Sequence, residues 1–143
     1  MTDKKIDFHK AGAILLKDRK FLVTHELGKK FYIAPGGIVE DGETPEEAVI
    51  RELKEEVNVV AKLSDLAFFG TFYAPAAGAE DRYLQMDVYH VKAWEGEPTP
   101  ASGEEVIDDL LWINSTNIPD TVKIGSIFEH EVLPKLKDLN LID

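Results

Sequence analysis

The chain has 143 residues, of which 44% are hydrophobic and 30% are charged, as expected for one globular domain, residues 1–143, with a single core. Its formal net charge of −11 argues against binding a nucleic-acid polymer by bulk electrostatics, although an acidic protein can still hold phosphates through a cation. The absence of cysteine excludes disulfides and thiolate metal sites, and no apolar stretch approaches the roughly 20 residues that cross a bilayer. We therefore expect a cytoplasmic protein with no membrane contact.

The first third of the chain predicts short strands and then a loop. Residues 13–26 favour two apolar strands joined in a hairpin at residues 18–20, and residues 31–33 favour a third strand. The tripeptide Pro35-Gly36-Gly37 predicts a loop, because neither a helix nor a regular strand readily continues through it.

A helix is strongly indicated over residues 45–57. Thr44 is a good N-cap, Pro45 suits the first helical position, and Glu47 stands three residues after the cap, which completes a capping box. Asn58 tolerates the left-handed backbone conformation and predicts the end of the helix.

The second half predicts three further strands. Residues 67–73 and 83–94 have strand character, residues 74–82 are expected to form the loop between them, and residues 110–113 predict a last short strand. Strands combined with a middle and a final helix favour an α/β fold in which helices cover a sheet.

A closing helix is expected over residues 126–139. Ser126 and Glu129 suggest a second capping box, and Pro134 should kink the helix. Four apolar residues at helical spacing predict its buried face: Phe128, Val132, Leu136 and Leu139.

The negative charge is concentrated in the middle helix. Residues 40–56 hold 8 acidic and 2 basic side chains, whereas residues 1–39 hold 4 acidic and 8 basic ones. At 100° per residue, Glu52, Glu55 and Glu56 share an arc of about 100°, separate from the apolar stripe that anchors the helix. Because like charges at this spacing repel, a bound divalent cation is the simplest explanation for the arrangement.

The donor set favours a hard cation. Carboxylate oxygens without cysteine or a nearby histidine suit Mg²⁺, with Mn²⁺ as a possible substitute. The Gly36-Gly37 segment allows close approach of backbone to a ligand or metal, and Arg51 could orient a carboxylate or neutralise a phosphate.

Residues 37–59, GIVEDGETPEEAVIRELKEEVNV, resemble the Nudix box, in which Gly, five residues, Glu, seven residues and Arg-Glu-apolar-x-Glu-Glu-x-Gly-apolar follow one another. Asn58 stands where the family has glycine, and Asn is the next-best residue for ending a helix. The matching positions are Gly37, Glu43, Arg51, Glu52, Leu53, Glu55, Glu56 and Val59.

The resemblance implies a Nudix-like α/β/α sandwich with a central mixed sheet. It also implies a metal-dependent hydrolase that cleaves a nucleoside diphosphate linked to another moiety. By the resemblance, the residues that bind metal are Gly36, Glu52, Glu55 and Glu56, joined by Glu104 or Glu105 from the loop before the last strand. Glu43 and Arg51 would support the catalytic cluster, and Glu52 is our first choice as general base.

Several substrate classes remain open. The leading one is a (deoxy)nucleoside triphosphate, cleaved to the monophosphate and pyrophosphate. The alternatives are ADP-ribose or a nucleotide sugar, which the position of Pro75 after the box favours, a nucleotide sensor without activity, and a structural acidic domain. An asparagine that MutT-like enzymes use for the purine edge has no counterpart near residues 126–132, and the partner is expected to be a small nucleotide, bound by a monomer or homodimer. Candidate substrate-binding residues are Phe31, Tyr32, Gly37, Tyr73, Arg82 and Tyr83.

Overall fold

The computed structural model describes residues 5–76, 79–101, 103 and 105–143, with the backbone alone at 79 and 80. In this part of the chain, no helix is both long and apolar enough to cross a membrane. The elements in chain order are β1 (Phe8–Ile14), β2 (Leu16–Lys17), β3 (Lys20–Glu26), β4 (Tyr32–Ile33), β5 (Gly36–Ile38), α1 (Pro45–Val57), a 3-10 turn (Leu63–Asp65), β6 (Leu66–Ala76), β7 (Ala79–Val91), β8 (Ile107–Ile113), a π-helical turn (Phe128–Val132) and α2 (Leu133–Asp138).

Two sheets form the centre of the fold. The first has the strand order β5-β1-β7-β6 and is mixed, because β1 runs parallel to β7 while the other neighbours are antiparallel. The second has the order β2-β3-β4, with β8 antiparallel to β3. Helices pack against the two faces, so the α/β expectation is confirmed.

Alternation along the strands divides the apolar side chains between two cores. Ala11 and Ala13 of β1 pack with the apolar stripe of α1. Ile14, one residue further on, packs on the opposite side with Phe128 and Leu136 of the closing helix. This period of two fixes which strand residues share a face with α1.

The predicted hairpin forms. β2 and β3 pair antiparallel, and the connecting Asp18 and Arg19 have φ values of 52° and 60°. Two successive positive φ values match the twist of the flanking strands, and Asp is among the residues that tolerate them.

The helix α1 begins and ends as predicted. The Thr44 side chain accepts from the Glu47 amide and the Glu47 side chain accepts from the Thr44 amide, which is the reciprocal capping box. At the other end Asn58 adopts φ 61° and ψ 30°. That left-handed conformation explains physically why glycine is acceptable at the same position.

The loop predicted at Pro35-Gly36-Gly37 is wrong, because Gly36–Ile38 forms the edge strand β5 on β1. A Cβ on Gly36 would lie 2.2 Å from the Ala11 carbonyl oxygen, so the glycine permits a close approach of two strands. Neither glycine has a positive φ. Glycine is therefore needed at position 36 because a side chain would clash with β1, and not because the backbone makes a turn there.

The loop predicted over residues 74–82 is also wrong at residues 74–76 and 79–82, and its residues 77 and 78 lie outside the described residues. β6 continues through Ala74–Ala76 and β7 begins at Ala79, with Ala76 opposite Ala79. The strand predicted to run to Trp94 ends at Val91. Small residues occur both in paired strands and in turns, so the local sequence alone does not distinguish a strand from a loop here.

The closing helix departs from its prediction at both ends. The Glu129 amide donates to the Gly125 carbonyl at 2.9 Å, so Ser126 lies within the first turn and does not form the expected capping box. The turn before Pro134 is π-helical, with the Leu133 amide donating to Phe128, which accommodates the missing proline amide. Leu139 is 54% exposed, whereas the other three predicted face residues are buried.

Candidate active site

Two glutamates of α1 are buried against the glycines of β5. The Gly36 amide donates to Glu56 Oε1 at 2.8 Å. A Cβ on Gly37 would lie only 2.5 Å from Glu52 Oε1, so this glycine leaves the room that the carboxylate occupies. The relative exposure of Glu52 is 9% and that of Glu56 is 7%. The strand β5 and the helix α1 therefore hold both carboxylates in fixed positions.

Arg51 is clamped among carboxylates. Its Nε and Nη2 donate to the two oxygens of Glu43 at 2.8 and 3.0 Å, a bidentate pair. Nη1 donates to Glu52 Oε1 at 2.8 Å, and Nη2 donates to the Ile38 carbonyl at 3.1 Å. The guanidinium holds the pKa of Glu43 below its usual range. Because its donors are engaged within the chain, Arg51 orients Glu52.

A third carboxylate completes a possible metal site. One oxygen from each of Glu52, Glu56 and Glu105 lies within 4.8 Å of the others. Two ligands on opposite sides of an octahedral Mg²⁺ lie about 4.2 Å apart, so this spacing needs little adjustment. Three carboxylates at such distances repel one another, and a divalent cation would reverse that repulsion. The donor set therefore fits the hard cation expected from the sequence.

The electrostatics of the cluster agree with this geometry. Burial raises the pKa of Glu56 to about 8, and the nearby Glu52 and Glu105 add to the rise. Burial likewise raises the pKa of Glu105 to about 7, helped by a hydrogen bond with Glu26. The pKa of Glu52 is also raised by burial. Without a cation, these carboxyl groups are each harder to ionise than in water.

The other predicted metal ligands lie differently. Glu55 has an exposed side chain, and its Oε2 is 3.4 Å from Arg51 Nη1. It does not belong to the compact group of three carboxylates in the described part of the chain. Glu104 lies outside the described residues. Gly36 stands beside the cluster, where its amide donates to Glu56, and its carbonyl stays a predicted ligand.

Glu26 was missed by the sequence analysis. It ends β3, and its carboxyl group forms a hydrogen bond with Glu105. Nothing in the local sequence marks it, since a charged residue at a strand end is ordinary. Only the pairing of β3 with β8 brings Glu26 beside the loop that carries Glu105.

Two candidate substrate residues lie on or beside β4. The Tyr32 hydroxyl donates to Asp109 at 2.5 Å, which raises the pKa of Tyr32 to about 12. Its ring lies 4.8 Å from the His25 ring. Phe31 lies beneath the ammonium of Lys30, at 5.5 Å from the ring centroid. The hydroxyl proton of Tyr32 is therefore engaged within the chain.

The remaining candidates lie on the long hairpin of β6 and β7. Tyr73 and Tyr83 stack with their centroids 6.2 Å apart and an angle of 9° between the rings, and Arg82 is exposed. Gly36 pairs with Gly12, which pairs with Val88, five residues along β7 from Tyr83. That is about 16 Å along the strand. The structure does not bring these residues beside the carboxylates.

A small pocket lies between this hairpin and the start of the closing helix. Its walls are apolar apart from one hydroxyl: Ala74, Pro75, Leu84, Ser126 and Ile127. The sequence analysis missed it because it assigned residues 74–82 to a loop.

Comparison with known proteins gives one matching family model, described as the NUDIX domain, over residues 8–135. An 8-oxo-dGTP diphosphatase of Escherichia coli (strain K12) is 40% identical over 106 residues, covering 73% of this chain and 73% of that protein. An ADP-ribose pyrophosphatase of Methanocaldococcus jannaschii is 42% identical over 65 residues, covering 43% of this chain and 37% of that protein.

The fold is also similar to that of a solved structure. A MutT NUDIX hydrolase from Burkholderia pseudomallei superimposes with a TM-score of 0.72 at 22% identity, over 85% of this chain and 92% of that one. At this identity the likeness concerns the fold alone.

Proposed function

The chain belongs to the Nudix hydrolase family and acts on phosphoric anhydride bonds, and we propose that its substrate is a (deoxy)nucleoside triphosphate, cleaved to the monophosphate and pyrophosphate. The similarity to the diphosphatase extends over 73% of the chain, whereas that to the ADP-ribose enzyme covers 43%. The single observation that carries the proposal is the compact group of Glu52, Glu56 and Glu105 beside Gly36.

A divalent cation is part of the proposal. Glu52, Glu56 and Glu105 would hold Mg²⁺ or Mn²⁺, with Glu55 and the Gly36 carbonyl as further candidate ligands. Such an ion supplies neutralisation of phosphate charge and a more acidic water.

The chain's own residues then position the proton acceptor. Arg51 engages Glu52 Oε1, which leaves Oε2 to take a proton from the attacking water. The water oxygen forms a bond to phosphorus, the anhydride bond between the α and β phosphorus atoms breaks, and pyrophosphate leaves. Glu43 has both oxygens on Arg51 and acts as a positioning residue.

A nucleotide panel with and without Mg²⁺ or Mn²⁺ tests the proposal. We expect monophosphate and pyrophosphate from at least one triphosphate, and a loss of at least about a hundredfold in Glu56→Gln. Glu131→Gln, at an exposed position of the closing helix, is the matched control. Turnover in ¹⁸O-labelled water identifies the phosphorus that is attacked.

The panel also separates the alternatives. Preferential turnover of ADP-ribose or a nucleotide sugar would replace the triphosphate assignment. Nucleotide binding by calorimetry without turnover of any compound would indicate a sensing module. No response to either cation, with or without nucleotide, would contradict the metal site itself.

A further inference from the structure

The outer edge of β6 is the feature of the fold that the hydrolase chemistry does not use. β6 is the last strand of its sheet and is 11 residues long. Within the described residues, the hydrogen bond from Lys135 Nζ to the Phe69 carbonyl is the one contact to its main chain from outside the sheet. An edge of this length presents a row of main-chain donors and acceptors to another strand.

The sequence of this edge lacks the charges that usually protect one. Residues 66–79 contain no Asp, Glu, Lys or Arg and form the longest such run in a chain that is 30% charged. Edge strands commonly carry charged side chains, lysine above all, that discourage pairing. At a net charge of −11, two copies of the chain repel each other; this strand brings no acidic side chain of its own to their approach, and the Lys135 ammonium lies on its Phe69 carbonyl.

Two large apolar side chains are exposed on one face of β6. Phe68 is 62% exposed and Tyr73 is 52% exposed. Phe68 contacts Tyr89, which belongs to the α1 core, and Tyr73 lies opposite Gln85, four residues from Tyr89 along β7. Both side chains therefore lie on the α1 face. α1 packs on β5, on β1 and to a smaller extent on β7, and it leaves Phe68 and Tyr73 exposed.

A bulge makes the pattern self-complementary. The register shifts between Phe68 and Gly70, so Phe69 is an extra residue in the ladder. Because of this extra residue, Phe68 lies on the same face as Thr71 and Tyr73, although Thr71 follows Phe68 by three positions in the sequence. With Thr71 on a two-fold axis and Phe69 left out of the ladder, antiparallel pairing places Phe68 opposite Tyr73 of a second copy. The same pairing places Gly70 opposite the large Phe72.

We propose that two copies of this chain associate through β6, antiparallel about a two-fold axis at Thr71, and form one continuous eight-stranded sheet. The Phe69 carbonyl, already engaged by Lys135, stays outside the new ladder. Pro75 has no amide hydrogen and limits its length. An interface of about six residue pairs is small, so the dimer is reversible and depends on concentration. The association uses no residue of the carboxylate cluster.

Charge reversal tests the proposed register. The double variant Phe68→Lys/Tyr73→Lys places like charges opposite one another across the axis, whereas Phe68→Lys/Tyr73→Glu places opposite charges there. Sedimentation velocity over about a hundredfold range of concentration should show dimer in the wild type, loss in the first variant and recovery in the second. Leu27→Lys, at an exposed site just after β3 of the other sheet, should behave as wild type.

Single cysteines give an independent readout, since the chain has none of its own. Opposed residues in an antiparallel pair have Cα atoms about 4.5–5.5 Å apart, within reach of a disulfide. Thr71→Cys should form a disulfide-linked dimer on mild oxidation, whereas Phe68→Cys alone should not, because the two copies of residue 68 are more than about 12 Å apart.

A monomer at every concentration overturns the proposal, and so does a dimer that persists in Phe68→Lys/Tyr73→Lys. Cross-linking of Phe68→Cys at the rate of Thr71→Cys also overturns it, because it indicates random collision or another register. Far-UV circular dichroism and a thermal melt on each variant verify that it is folded.

Discussion

The contact between Gly37 and Glu52 allows a sharp test of the site with a single methyl group. In Gly37→Ala, the new Cβ would lie 2.5 Å from Glu52 Oε1 and 2.7 Å from its carboxyl carbon. Ordinary contact begins near 3.4 Å, so the carboxylate must retreat by about 0.9 Å. Arg51 Nη1 binds the same oxygen at 2.8 Å, and the retreat disturbs that pair as well.

A shift of this size falls on the group proposed to accept the proton. A misplacement of about 1 Å in a reacting group costs roughly a hundredfold in rate, or about 2.7 kcal/mol of transition-state stabilisation. We expect the loss in kcat, with KM changed by less than about threefold, because the new methyl group meets the Glu52 carboxylate. Cation affinity measured by calorimetry should fall in parallel.

Steady-state pyrophosphate release, measured on the best substrate of the nucleotide panel, gives both constants. Gly12→Ala is the matched control, since its Cβ would meet nothing closer than Met86 Sδ at 3.4 Å and Gly12 pairs directly with Gly36. A Gly37→Ala enzyme with kcat within twofold of wild type would refute the reasoning. If the melting temperature falls equally in Gly37→Ala and Gly12→Ala, the loss of activity would instead reflect a destabilised sheet.

Three further predictions concern other parts of the molecule. Because the pKa of Glu56 is raised from 4.5 to about 8 without a cation, its contribution to stability is complete below 4.5 and is lost as the pH rises through 8; the melting temperature of cation-free protein should fall over that interval, and less so in Glu56→Gln. Asn58→Ala and Asn58→Gly both lose the side-chain hydrogen bonds to Thr99, and alanine at φ 61° is strained in addition; in urea unfolding Asn58→Ala should therefore be less stable than Asn58→Gly by about 1 kcal/mol, and equal stabilities would contradict the cap. If the basic residues 1–39 help to bind substrate, replacing Lys29 and Lys30 with Gln should raise KM more than it lowers kcat. An unchanged KM would show that these two lysines do not bind substrate.

Local signals explain why α1 was predicted to the residue. Its first turn is fixed by contacts between Thr44 and Glu47, three residues apart, and its end is predicted by the conformational tolerance of Asn58, whose side chain also donates to Thr99 in the structure. The three glutamates on one face follow from the helical period. Nothing about these features requires knowledge of a distant strand, so the sequence contains them in full.

The errors arose where a distant partner decides the structure. Gly36 extends as a strand because β1 accepts a backbone with no Cβ in the way, and that acceptor lies about 24 residues earlier in the chain. Residues 74–76 pair with β7 because each of the two strands supplies the other's hydrogen bonds. Glu105 was predicted beside the cluster, but its contact with Glu26 depends on the β3 and β8 pairing, which no local pattern encodes.

Part of the acidic charge of α1 lies where the helix macrodipole disfavours it. Glu46 and Glu47 lie in the first turn, where the macrodipole favours negative charge. Glu52 and Glu56 lie in the last two turns, where the macrodipole disfavours it, and both are buried. A helix selected for stability alone would keep its acidic residues in the first turn and would leave none buried near its end. A divalent cation bound by these carboxylates, as proposed above, would offset the cost of that placement.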